Sequence, residues 1–312
     1  MLLSRVAESL YWSARYLERA EDTARIIREH TNLIVDLPYS SLVSWEPLLA
    51  IVGTRVAFDE GYRGPDEASV MRWLISDRTN GSSLLRSVES ARENLRRCRE
   101  VLPREAWQAM NDLFLYVLSG HPDGVPRAGR SRFLERIVIE TQRIDGILAG
   151  TMSRDEAFEI VELGRTVERA DMITRVLDVR ANALSAVDSS PDRHPDAQWA
   201  SVLRSLSAFQ MFRRSRRVPV TGEAVVGFLL FDERFPRALQ HCLLRARRSV
   251  AALPLAASVS GAIDAASAAL GEAPESVDMA DLHGFMDRLQ AAIGEIHDAV
   301  ADAYFLRQLA PV

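Results

Sequence analysis

The chain has 312 residues, 47% of them apolar and 26% charged, with a net charge of −5. That is enough apolar material for one large domain or two average ones, and it offers no global basic field to gather nucleic acid. All 38 basic residues are arginine, which excludes Schiff-base lysine chemistry, a P-loop phosphate lysine and a lysine general base.

Helical periodicity dominates from the start. Leu10, Ala14, Leu17, Ala20, Ala24 and Ile27 recur at spacings of three and four. Breaks follow at Leu37-Pro38, Gly61 to Pro65, Asp77 to Ser82, Leu102-Pro103, Gly120 to Gly129 and Gly150. Ser153, with Glu156 three residues on, reads as the cap of a helix running to about Ser185. Its apolar positions are Ile160, Leu163, Val167, Ala170, Thr174 and Leu177. Later breaks fall at Ser189 to Pro195, Val218 to Gly222, Phe235-Pro236 and Gly271 to Pro274. Thr221 is a candidate cap for the apolar stretch Ala224 to Leu230, whose alternative is a buried strand. The expected fold is all-α, with about ten helices. Glu8, Arg15 and Glu18 interrupt the opening apolar stretch, and no run of about 18 to 20 apolar residues occurs. A cytoplasmic protein that does not engage membrane is therefore expected.

The chain repeats itself. Arg15-Tyr16-Leu17-Glu18-Arg19-Ala20 returns 150 residues later as Arg165-Thr166-Val167-Glu168-Arg169-Ala170, with Glu21 on Asp171 and Arg25 on Arg175. Trp45 and Leu49 then match Trp199 and Leu203, Trp73 and Asp77 match Phe228 and Asp232, and Leu84 and Ala91-Arg92 match Leu239 and Ala246-Arg247. The offset grows slightly, as loop insertions would make it. The expectation is a single domain of two pseudo-symmetric halves, about 1–150 and 151–312, each covering the other's apolar faces.

On a helical wheel Arg165, Glu168 and Arg169 point away from the main apolar face, yet Val161, Met172, Val176 and Val179 share their side. Tyr11 and Ile26 do the same in the first copy. A helix apolar on both sides is buried, and buried charges must be paired. Glu18 is expected to meet Arg169, and Glu168 to meet Arg19. Intrahelical pairs such as Arg15 with Glu18 or Arg19 with Asp22 are an alternative. Three roles stay open for the cluster Arg15, Glu18, Arg19, Asp22, Arg25, Arg165, Glu168, Arg169, Asp171 and Arg175. It is a salt-bridge network fixing the register of two halves, or a pocket for a carboxylate or phosphate in which Arg15, Arg25, Arg165 and Arg175 are surplus donors. The third is a catalytic site built on Glu18 or Glu168, against which the close arginines favour ionised carboxylates.

Arg92, Glu93 and Asn94 form a second charged helical cluster, read first as a solvated face. Arg237, after Phe235-Pro236, sits at a helix start beside the positive dipole end, where Asp232 or Glu233 is expected to offset it. Arg213-Arg214-Ser215-Arg216-Arg217 is the one basic run, suited to a phosphate or an acidic partner. The six histidines lack the spacing of a helical zinc site, and Cys98 and Cys242 read as structural thiols. No metal or cofactor is expected.

The opening from Met1 through Tyr11-Trp12 and Arg15-Tyr16-Leu17-Glu18-Arg19-Ala20-Glu21 resembles the Alpha-E family, bacterial all-helical proteins with a Glu-Arg motif. The likeness continues through Ala91-Arg92-Glu93-Asn94, Glu105-Ala106-Trp107, Leu163 to Asp171 and Phe235-Pro236-Arg237, covering nearly the whole chain. One departure is Ala238-Leu239, where Ser-Val or Ser-Ile is expected. The resemblance implies association with an ATP-grasp protein and a transglutaminase-like protein in a system that makes or processes an amide-linked peptide. The expected role is an accessory or scaffold; the alternative is an enzyme of amide or peptide modification.

Overall fold

The computed structural model of the protein describes residues 2–37, 43–185, 194–272 and 282–305. Every regular element among them is helical. The first half contains α1 (Ser4–Asp36), α2 (Glu46–Val52), α3 (Arg55–Gly61), α4 (Glu67–Ile75), α5 (Leu84–Arg97), α6 (Arg104–Gly124) and α7 (Arg127–Thr151), with a short 3-10 turn at Arg99–Val101. The second contains α8 (Glu156–Ser185), α9 (Pro195–Ser205), α10 (Phe209–Arg216), α11 (Gly222–Phe231), α12 (Leu239–Ala251), α13 (Ala256–Gly271) and α14 (Leu282–Tyr304).

Seven helices are thus followed by seven in matching order. The packing repeats as well. α1 touches α5, α7 and α9, while α8 touches α12, α14 and α2. The crossed pair, α1 on α9 and α8 on α2, is what a twofold exchange produces and a simple translation does not. The largest interface is α1 on α8. These two run parallel, since Leu2 meets Glu156, Arg15 meets Glu168 and Glu18 meets Arg169. The approach is close because Gly164 has no side chain: a Cβ there would lie 2.4 Å from the Tyr11 carbonyl oxygen. Both helices are buried on nearly all sides, with Leu10, Tyr11, Ile27, Leu163, Ile173 and Leu177 in one continuous core.

Several local expectations are met. Thr221 Oγ1 accepts from the Ala224 amide at 3.4 Å, and the stretch after it is helix rather than strand. Three breaks were not legible, which is why fourteen α-helices stand among the described residues in place of about ten. Gly53 takes φ +70° between α2 and α3, Ser207 takes φ +53° between α9 and α10, and Leu255 takes φ +57° before α13. A single left-handed residue follows α2 and α9 and another opens α13, without a Gly/Pro cluster to announce any of the three. Conversely, α6 runs through Gly120 and carries Pro122 in its last turn. The cap of α8 is Asp155, not Ser153: its Oδ1 accepts from the amides of Ala157 and Phe158 at 3.1 and 3.2 Å. Of the expected breaks, Pro38 in that at Leu37-Pro38, residues 189–193 in that at Ser189 to Pro195 and residues 273–274 in that at Gly271 to Pro274 lie outside the described residues.

A seam of paired Glu and Arg with one open side

The α1–α8 interface carries its charges in the middle. Glu18 Oε1 and Oε2 each accept from Arg169, from Nε and Nη2, at 2.8 Å. The related pair has Arg19 donating to Glu168 from Nε at 2.5 Å and Nη2 at 3.0 Å. Both Glu side chains are about as dry as the core, 1% and 2% exposed. The two-pronged fork of arginine matches the carboxylate, and an ion pair this dry persists only with such geometry. The crossed pairs expected from the repeat therefore form. In place of intrahelical pairs with Glu18 and Asp22, Arg15 also reaches over to Glu168, Nε to Oε2 at 2.6 Å, and Arg19 is taken up by the same carboxylate; intrahelical pairs form at other members of the cluster.

The arginines expected to be surplus are not. Arg25 is bonded to Glu21. Arg165 reaches Asp145 at 2.9 Å and also pairs with Glu162. Arg175 Nε donates to Asp171 at 2.9 Å. Arg237 was expected beside Asp232 or Glu233. It lies instead just before α12 and points into the seam, 2.8 Å from Glu18, 3.0 Å from Glu21 and 2.6 Å from Asp22. Asp232 is used otherwise, accepting from the amides of Arg234 and Phe235. The second cluster divides: Glu93 pairs with Arg96 and Arg97 at the surface, while Arg92 donates to Asn111 Oδ1 at 2.7 Å and lies over the Phe114 ring. Asn94 is half-buried on α5 and accepts from Cys98 Sγ through its carbonyl.

Burial alone would keep Glu18 neutral, but Arg169 and Arg237 outweigh it and hold its carboxyl down at about 2. Burial also opposes ionisation of Glu168, and Arg19 and Arg15 overcome it, leaving its pKa below the usual range. Asp22 goes the other way. Burial, with Glu18 and Glu21 nearby, pushes it up to about 7 despite Arg237. Glu18, Glu21 and Asp145 bring carboxylate oxygens within 4.8 Å of one another. The guanidinium groups of Arg165, Arg169 and Arg237 already supply the positive charge that a cation would bring there. Cys98 and Cys242 are buried thiols, each pushed up to about 12 by burial.

The two sides of the seam differ. On one, Trp12 and Tyr16 lie beside Arg15 and Arg19, with guanidinium-to-ring distances of 5.2 and 5.5 Å. His297 of α14 closes against this cover, 3.1 Å from the Tyr11 hydroxyl and edge-on to Trp12. At the related positions of α8 stand Glu162 and Thr166, which cannot cover Arg165 and Arg169 in that way. A cleft of about 590 Å³ opens there instead, between α8 and α12. Arg154, Arg165, Arg169 and Arg245 line it, with Glu159, Glu162 and His241. Arg245 bridges to Glu159 and Glu162 at 3.1 and 3.2 Å. Phe158 and Pro236 add apolar wall. Sequence reasoning missed Glu21, Asp145, Glu162 and Arg245: Asp145 and Arg245 answer charges on a different helix, and Glu21 and Glu162 each join an arginine of their own helix to one from elsewhere.

Residues 2–305 match a family described as a predicted alpha-helical domain with a conserved ER motif. The chain belongs to the Alpha-E family. This Alpha-E chain is 26% identical to the uncharacterized protein Mb2597 of Mycobacterium bovis and to the uncharacterized protein Rv2567 of Mycobacterium tuberculosis. Each match covers 98% of this chain but 37% of the relative, so the Alpha-E unit spans well under half the length of the curated relatives it matches. No solved structure matches it. No helix among the described residues is long and apolar enough to cross a membrane.

Proposed function

We propose that the protein is a helical accessory of an amide-forming or peptide-processing system. It holds the anionic end of a peptide or acyl group, a carboxylate or phosphate, in the Arg165–Arg169–Arg245 cleft and presents it to an ATP-grasp protein. A transglutaminase-like protein acts in the same system. The partner classes come from the family resemblance, and the length of the relatives supports a helical unit that works beside further polypeptide. One observation carries binding over catalysis: Glu18 and Glu168 are dry, held below the usual carboxylate range and each contacted by two arginines, which makes them poor proton donors and weak bases.

Co-purification with an ATP-grasp protein tests the reading, together with that protein's turnover. Arg245→Ala should leave the complex intact while raising KM for the presented substrate about tenfold. If the two proteins fail to associate at high concentration, the accessory role is wrong. A second reading, an enzyme of amide or peptide modification, draws on His241, Glu159 and Glu162 in the same cleft. Turnover by the isolated chain, abolished in Glu162→Gln, would favour it.

A further inference from the structure

The basic run of α10 lacks the carboxylate partners that neutralise the arginines of α3 and those at the end of α5. Arg55 of α3 pairs with Glu46 and Asp59, and Arg96 and Arg97 of α5 pair with Glu93. Arg213, Arg214, Arg216 and Arg217 are all exposed, as is Arg234, and none of the five forms an ion pair among the described residues. Arg213, Arg214 and Arg216 belong to an eight-residue helix anchored by Phe212, which is fully buried. Between α10 and the Asp232–Pro236 stretch runs a groove of about 650 Å³. Its apolar wall includes Met211 and Phe231, 42% and 38% exposed.

The first half supplies an internal comparison. At the positions of Met211, Arg213, Arg214, Arg216 and Arg217 the first half has Ala57, Asp59, Glu60, Tyr62 and Arg63. Where α11 ends in Phe231, α4 is followed by Ser76. Met211, Phe231 and three of the four arginines of the run therefore belong to the second half alone, and the shared fold does not need them. Arg214, Arg216 and Arg234 line the groove together with Glu233 and with Asp232, whose Oδ1 is taken up by the amides of Arg234 and Phe235. An exposed apolar wall with a surplus of unpaired arginine at its rim is the pattern of a binding surface.

We propose that this groove docks an acidic segment of a partner polypeptide. An aliphatic or aromatic side chain of that segment enters between Met211 and Phe231, and flanking carboxylates meet Arg214, Arg216 and Arg234 of the groove, with Arg213 and Arg217 next to them in the chain. Charge complementarity selects the sign. A concave groove suits a peptide better than a flat lipid surface, where apolar side chains must protrude. A single-stranded nucleic acid is held by a set of exposed aromatic rings, and of the rings lining this groove Phe228 and Phe235 are buried. Pro236 lines both this groove and the neighbouring cleft, so the docked segment lies beside the cleft mouth. The proposal does not rest on what the cleft holds.

Fluorescence anisotropy of the full chain tests it. The probe is a short labelled peptide in which Asp and Glu alternate with Leu and Phe. The comparisons are the same peptide with Lys for the acids, an oligothymidylate, and vesicles of anionic phospholipid. The acidic peptide is expected to bind, and Arg213→Glu with Arg214→Glu to weaken it at least about tenfold. Phe231→Ser should weaken it at unchanged salt dependence, and Arg97→Glu on α5 should leave it unchanged. Circular dichroism shows that each variant is folded. The proposal is overturned if the acidic peptide does not bind at low salt, if charge reversal leaves its affinity intact, or if oligothymidylate or vesicles bind more tightly.

Discussion

Glu18 sits where three arguments meet: it is dry, it is ionised, and it is bonded from both sides of the seam by Arg169 and Arg237. Removing its charge leaves two guanidinium groups in the core with too little to answer them. Glu18→Gln is therefore expected to cost about 3 to 5 kcal/mol in urea unfolding at neutral pH, and to cost more than the paired change of Glu18 and Arg169 to Gln and Met. The sign of the pH effect follows from the lowered pKa. Its stabilisation is complete above the ordinary 4.5 and drains away as pH falls toward about 2, a loss of about 3 kcal/mol. Glu168 works in the same direction. Asp22 opposes them: with its pKa pushed from 3.8 up to about 7, its contribution is present below the first value and lost as pH rises through the second. Wild-type protein should lose stability between pH 4.5 and 2 more steeply than Glu18→Gln; equal slopes would contradict the assignment.

At the scale of helices, the close approach of α1 and α8 is the element on which the rest is built. A methyl group on Gly164 would meet backbone, the Tyr11 carbonyl, and backbone cannot step aside as a flexible side chain can. Gly164→Ala should destabilise by about 1 to 3 kcal/mol despite alanine's better helix propensity. Gly146 lies within α7 with nothing near its would-be Cβ, so Gly146→Ala should gain about 0.5 to 1 kcal/mol. Urea midpoints moving in opposite directions would establish the contrast. What was legible from sequence follows the same division. Periodicity gives the buried faces of α1 and α8, because a helix wheel needs only neighbours in the chain. The crossed Glu-Arg pairs were legible because the repeat supplied the long-range alignment. Arg237 was not: its acids lie more than 200 residues away, on a helix with no matching phrase near α12. Nor was the cleft, which depends on what Glu162 and Thr166 fail to cover.

At the scale of the molecule, neither half has a complete core. α1 gives one flank to its own half and another to α8, and α2 and α9 each pack on the other half's long helix. Residues 1–153 expressed alone should lack a cooperative unfolding transition, as should 154–312, and mixing the two should restore one. A single half that melts sharply by itself would show that the halves are independent. Within this arrangement Trp12 and Tyr16 have a consequence beyond packing. They pack aromatic rings over one of two related sides, whereas the other opens into the cleft, so two series of helices in matching order acquire a front and a back.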